Sequence, residues 1–297
     1  MKLVRPIKRL LIAAVLSVPV LSFAGLPLPV SEGVDLLSAV GQKIGLIQSR
    51  QANGSPAYDT QTCSQHYAVQ VAPRIENPLL AKSTRHLCSD AFATVYSGIA
   101  RSPLWSAQLL TPGQLELARE VGRTDVFAVD NRLPSDWRAT LDDFRRSGYD
   151  RGHLAPSADM PTPAADAQSF VLSNIVAQDP QNNRQIWSAV EAAVRSLARH
   201  RQINVITGVL WIGSDIKWLG DDGQKRVMVP THLYKVVFDQ NANNGRGGAA
   251  AYLVQNAPSK RPREVSIQEL EQLAGITFFP ETPAVGSIKL PRPRYGR

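Results

Sequence analysis

The amino-acid sequence predicts an α+β fold, and three observations predict it. Ile186, Val190, Val194 and Leu197 are spaced so as to form one apolar face of a helix over Gln181 to His200. Strand-like segments follow from Ile203 to Val254. Helices and strands do not alternate regularly, which argues against a doubly wound parallel sheet.

The N-terminus is set aside first. Lys2, Arg5, Lys8 and Arg9 form a positive region, Leu10 to Phe23 is an apolar run, and Ser22-Phe23-Ala24 offers small residues for cleavage. Residues 1–24 are therefore read as a secretory signal peptide, cut after Ala24. The apolar run falls short of the roughly 20 residues that a membrane span needs. After cleavage no stable membrane association is expected, and the location is bacterial periplasm or secretion. Residues 25–60 form a Gly/Pro-punctuated lead-in with one helical stretch, Val34 to Ile47.

Further along, Ser89 to Trp105 is mixed and reads as broken at Ser102-Pro103. Thr111-Pro112-Gly113 reads as a helix start with Thr111 as cap and Pro112 in the first turn. Beyond the long helix, Ile203 to Ile206 and Val209 to Ile212 read as strands flanking Thr207-Gly208. Arg226 to Val229, Leu233 to Phe238 and Ala249 to Val254 are further strands, with a polar loop over Gln240 to Gly248. Ser266 to Leu273 reads as a short helix with Ser266 and Glu269 in capping-box positions.

Composition bounds the rest. With 43% hydrophobic and 20% charged residues in a chain of 297, the protein is globular rather than disordered. The formal charge of +8 falls by half once the four basic residues of the leader are removed, so charge decides nothing about partners. Cys63 and Cys88 suggest one disulfide in an oxidising compartment, with two free thiols as the alternative. Such a bridge would contribute about 3.5 kcal/mol on the chain-entropy account.

Five histidines are candidates for chemistry. His200 suits a helix C-terminus. His232 suits packing beside Pro230, and His66 and His86 carry no recognisable partner pattern. His153 stands in Asp150-Arg151-Gly152-His153, where an imidazole, a guanidinium and a carboxylate lie within one short segment. Imidazole suits a general base, and arginine binds phosphate in bidentate fashion. Downstream, Asn183 offers a neutral amide oxygen suited to Mg²⁺. Both Asn183 and Asn182 could instead cap the helix. No Gly-x-Ser-x-Gly, His-Glu-x-x-His or glycine-rich phosphate loop is present, which weakens other hydrolase readings.

The segment Asp-Arg-Gly-His-Leu-Ala-Pro from Asp150, with Ser173-Asn174, Gln178-Asp179-Pro180, Asn183, Trp187 and Glu191, resembles the DNA/RNA non-specific endonucleases, ββα-metal nucleases related to endonuclease G. Tyr96-Ser97 with Arg101 and Pro103-Leu104-Trp105, Thr207-Gly208, Val229-Pro230-Thr231-His232 with Lys235, and Phe278-Phe279-Pro280 extend the resemblance. It implies a central, mainly antiparallel sheet flanked by helices, with residues 61–285 as the nuclease domain and 286–297 as a tail. It implies His153 as general base, Asn183 as metal ligand, and Glu191 as the residue holding a water on that metal. Arg151 would sit near the scissile phosphate, with Arg123 as the upstream arginine and Arg101 as a poorer match. Asp150 would brace the turn.

The implied cofactor is one Mg²⁺, or Mn²⁺ in its place. The implied substrates are DNA and/or RNA, cut with little sequence preference to leave 5′-phosphates. A homodimer and an inhibitor protein are left open. Activity should fall as the pH drops through the pKa of His153. Ala177 departs from the pattern, since many relatives carry Pro before that Gln, and this bears on loop stiffness. A nucleic-acid-binding protein of the same fold without catalysis is the competing expectation.

Overall fold

The computed structural model describes residues 61–220, 226–258, 260–282 and 285–295. The leader, the lead-in and its expected helix lie outside them. The described chain is built on one mainly antiparallel sheet. Its strands are β1 (Thr84–Cys88), β2 (Ala93–Ser97) and β3 (Ser102–Leu110), then, beyond the segment that carries the site, β6 (Ile203–Leu210), β7 (His232–Asp239), β8 (Gly248–Gln255) and β9 (Arg263–Val265). The order across the sheet is β9-β8-β7-β6-β3-β2-β1.

Two glycine- or proline-marked breaks disappear in this sheet. β3 runs through Pro103, because Pro103 lies where β3 pairs only with β2; pairing with β6 begins at Trp105. The register shift between Val95 and Tyr96 marks a bulge there, a position where proline is tolerated. β6 likewise continues through Thr207-Gly208. A Cβ at Gly208 would overlap the Tyr234 hydroxyl and come within 2.6 Å of the Leu104 carbonyl oxygen. Glycine here marks close packing, not a turn.

Helix starts were more legible. Thr111 caps α1 (Pro112–Ala118) in a full capping box with Gln114. Ser266 caps its helix (Ile267–Ala274), accepting from Glu269 N, but the reciprocal half of that box is absent. The Glu269 carboxylate pairs instead with Arg263 at 2.7 Å. The expected polar loop contains a short helical turn, Ala242–Gly245. Cys63 and Cys88 form a disulfide that ties the first described turn to β1. Gly286–Ser287 pairs in parallel with β8, so the chain beyond 285 remains attached to the sheet.

Between β3 and β6 the chain forms a separate unit. β4 (Asp150–His153) and β5 (Ile175–Gln178) pair antiparallel, with α2 (Pro163–Ser169) between them. β5 leads into π-helical turns over Asn182–Trp187 and then α3 (Ser188–Ala198). Ile186, Val190 and Val194 are buried in the main core, as the apolar spacing requires.

Asn174, fully buried, joins this ββα unit to the sheet. Its Oδ1 accepts from Ser106 Oγ at 2.9 Å and from Ala155 N at 3.0 Å. Its Nδ2 donates to the Ala155 and Ser169 carbonyl oxygens, each at 2.9 Å. All four hydrogen-bonding positions of the amide are thereby used. Replacing it leaves several buried groups unpaired, so Asn174→Ala should lower the unfolding free energy by about 3 kcal/mol in denaturant titration. A loss below roughly 1 kcal/mol would contradict this role.

Candidate active site

Alternation along β4 puts Arg151 and His153 on one face and Asp150 and Gly152 on the other. On the first face, Phe127 and Phe170 pack edge to face at 5.0 Å between centroids. The His153 ring lies 4.7 Å from Phe170, also edge to face, and 5.6 Å from Phe127. The Arg151 guanidinium sits 4.1 Å over Phe127, and that of Arg123 sits 4.8 Å over Phe170. Two arginines therefore flank one imidazole on a shared aromatic platform. The Arg123 side chain pairs with Asp125 at 3.3 Å, and the next residue is anchored by Asp166, which accepts from Thr124 N at 2.6 Å and from Ser157 Oγ at 2.5 Å.

On the second face, Gln178 crosses Gly152, where any Cβ would overlap its side chain. Gln178 Nε2 then donates to Asn182 Oδ1 at 2.8 Å, linking strand to helix. Neither Asn182 nor Asn183 caps that helix. Asp179 does so, accepting from Asn182 N at 2.8 Å. Asn183 Nδ2 donates to Asp150 Oδ2 at 2.9 Å, which orients the amide and turns Oδ1 elsewhere. Arg184 holds the same carboxylate through Nε and Nη2, at 2.8 and 2.6 Å. Burial opposes the charge on Asp150, yet Arg184, Asn183 and Arg151 together keep its pKa below the ordinary value.

The helix differs from the uniform α-helix that the spacing predicts. Its first turns are π-helical, a widening found often at functional sites. Burial raises the pKa of half-buried Glu191, with Lys235 and Arg195 opposing. Lys235 is buried, donates from Nζ to Thr207 Oγ1 at 2.5 Å, and lies 5.3 Å from the Trp187 ring centroid. Arg195 pairs with buried Asp159 at 3.0 Å.

An open cleft of about 780 Å³ collects Arg123, Arg151 and Asn183, with Arg145, Arg146 and Arg184. Asp125, Asp142 and Asp150 also line it, so its wall carries a positive excess. His153 and Glu191 are not among its lining residues. His153 shares the Phe127 ring with Arg151, and Glu191 is close enough to Arg123 to feel its charge. Arg101 is not among the lining residues either.

The surroundings of His153 move its pKa away from that of a free imidazole. Burial first, and then the Arg123 charge, push it down to about 3, with Asp166 and Asp125 opposing. Its Nε2 is buried without a hydrogen-bond partner. The neutral ring is thus the state of the free protein.

Several members of the site carry no sequence pattern of their own. Phe127, Phe170, Asp166 and Arg184 act through contacts distant in sequence, and only a fold could reveal them. Asp166 had one local sign, since Thr162-Pro163 begins a helix just before it.

The donors present fit a hydrated Mg²⁺. Among the described residues, no group of three His, Cys, Asp or Glu is arranged to hold a metal, as a zinc site would need. A neutral amide oxygen beside a braced carboxylate suits an ion that keeps most of its waters.

Residues 70–285 match the family model described as DNA/RNA non-specific endonuclease. The chain is 31% identical over 226 residues to "Nuclease EXOG, mitochondrial" of Xenopus laevis, covering 69% of this chain and 60% of that one. It is 34% identical over 203 residues to "Nuclease C1" of Cunninghamella echinulata var. echinulata, covering 64% and 81%. It is 32% identical to human "Endonuclease G, mitochondrial", covering 67% and 71%. A chain in the crystal structure of the EndoG/EndoGI complex superposes with a TM-score of 0.60 at 28% identity, covering 65% of this chain and 85% of that one. The chain spans about three-fifths of the length of the EXOG relatives it matches.

The depressed pKa of His153 has a consequence for stability. Its folded pKa of about 3 lies below the ordinary 6.5, so the folded state resists protonation and the unfolded state does not. Stability from this group is complete above pH 6.5 and falls as the pH drops toward 3, by about 1.4 kcal/mol per unit. Unfolding measured at about pH 6.5 and pH 4.5 should show a smaller acid loss in His153→Phe than in the parent. Equal acid sensitivity would contradict a buried neutral His153.

Proposed function

The chain belongs to the DNA/RNA non-specific endonuclease family, and from that premise we propose that it is an exported phosphodiester hydrolase cutting DNA and/or RNA with little sequence preference. The observation that carries the proposal is the shared aromatic platform, which holds His153 between Arg123 and Arg151 at the edge of an arginine-rich cleft.

Arg123 and Arg151 receive the scissile phosphate, since guanidinium forks match its oxygens. Neutral His153 accepts a proton from the attacking water. Nε2 is sealed in the protein, so the proton goes to Nδ1. In the free protein this base is weak, because burial and Arg123 hold its pKa down. A bound phosphodiester cancels the Arg123 charge and adds a negative one nearby, and both effects raise the pKa of His153. The base is therefore strengthened by its own substrate. Asp150 and Arg184 keep Asn183 oriented, and Asn183 Oδ1 with Glu191 would hold a Mg²⁺ or Mn²⁺ ion and its water shell. When bound, that ion supplies positive charge to stabilise the leaving 3′ oxygen. The products carry 5′-phosphates.

Phosphate contacts dominate this cleft, so binding weakens with salt and ignores sequence. Export rests on residues 1–24, which read as a signal peptide. The EXOG and endonuclease G relatives bear names that place them in mitochondria. A binding protein without catalysis is the lesser reading, because the base and the amide ligand are both present.

Plasmid and RNA digestion with Mg²⁺ tests the proposal. EDTA should abolish cleavage, and His153→Ala should lower kcat by roughly 10²- to 10⁴-fold. The exported protein should begin at Gly25 on N-terminal sequencing. Full activity of His153→Ala or in EDTA would sink the mechanism, and an intact Met1 terminus would sink export.

A further inference from the structure

A second hollow of about 350 Å³ lies beside the cleft, and Arg123 lines both. Leu115 and Ala118 of α1, both largely buried, give it apolar lining. Arg119, Arg195 and Arg199 join Arg123 around it, and no carboxylate is among the described residues that line it. Such a mixture of apolar surface and guanidinium suits a nucleotide unit, which presents an apolar ring face and an anionic phosphate.

The arginines differ in how they are held. Arg195 is fixed by the 3.0 Å pair with Asp159, which also accepts from Gln108 Nε2 at 2.9 Å. Arg119 pairs with Glu116 at the exposed surface, a contact worth little in water and easily exchanged for a phosphate. Arg199 stands exposed at the end of α3. A rigid inner guanidinium and two adaptable outer ones make a groove that continues from the cleft.

We propose that this hollow is a subsite for one nucleotide next to the scissile phosphodiester, with its phosphate on Arg119 and Arg199 and its sugar or base on Leu115 and Ala118. The inference rests on the nuclease proposal and adds to it the direction in which the strand leaves the site. Contacts made equally in bound substrate and transition state lower KM without raising kcat. A dinucleotide with a single phosphodiester lacks the next phosphate, so it gains nothing from Arg119 and Arg199.

The test compares the full-length parent with Arg119→Ala/Arg199→Ala on a dinucleotide phosphodiester and on a long single-stranded oligonucleotide. Arg119→Lys/Arg199→Lys serves as the charge-preserving control. The alanine pair should raise KM for the long substrate roughly tenfold, with kcat unchanged, and reduce the salt dependence of binding by about one unit of slope per arginine. Dinucleotide kinetics should not move, and the lysine pair should fall between parent and alanine pair. An equal change on both substrates, or none on either, would overturn the subsite. A parent that cuts neither substrate would sink the nuclease proposal instead. In that case lower oligonucleotide affinity in the alanine pair would sustain the subsite, and equal affinity would overturn it.

Discussion

The structure depends first on the four hydrogen bonds of Asn174. A short two-stranded pairing such as β4 with β5 is marginal in water by itself. Asn174 fastens it to the Ser106 hydroxyl on β3, to both backbone groups of Ala155, and to the end of α2 at Ser169. Leu154 N also donates to the Asn174 carbonyl at 3.0 Å. The residues immediately after His153 are therefore locked to a wide sheet, and the imidazole inherits that rigidity. A second link, from Gln178 across Gly152 to Asn182, ties the hairpin to the helix that carries Asn183.

The same rigidity has an electrostatic cost. His153 is packed against two phenylalanines and beside Arg123, an environment hostile to an imidazolium. Arg123 then has two effects of opposite sign. Under the proposed function, its charge weakens the base in the free protein and is offset by the ligand once a phosphodiester is bound. On that proposal, binding and base strength are coupled through one guanidinium.

The sequence made some of this legible. The periodic apolar face of α3, the caps at Thr111 and Ser266, and the strand-rich second half follow local rules and appear in the structure. Breaks inferred at Pro103 and Gly208 do not appear, because a bulge and close inter-strand packing explain those residues better than turns do. Within the site, the Asp150–His153 segment and Asn183 were recognisable, and the structure joins them through the Asp150–Asn183 hydrogen bond. Phe127, Phe170 and Asp166 were not, since each acts through contacts set by tertiary packing. The lowered pKa of His153 was not legible either, because burial and the nearness of Arg123 are properties of the fold.

The central claim is that bound substrate strengthens His153 as a base. The acid limb of kcat/KM reports the free enzyme, and that of kcat reports the complex. His153 must be neutral to act, so each rate falls as the pH drops through the relevant pKa. Measured from neutrality downward, kcat should bend at a clearly higher pH than kcat/KM, whose limb lies below the ordinary imidazole range because burial and Arg123 lower the free-protein pKa. Coincident limbs, or a kcat limb below that of kcat/KM, would contradict the account.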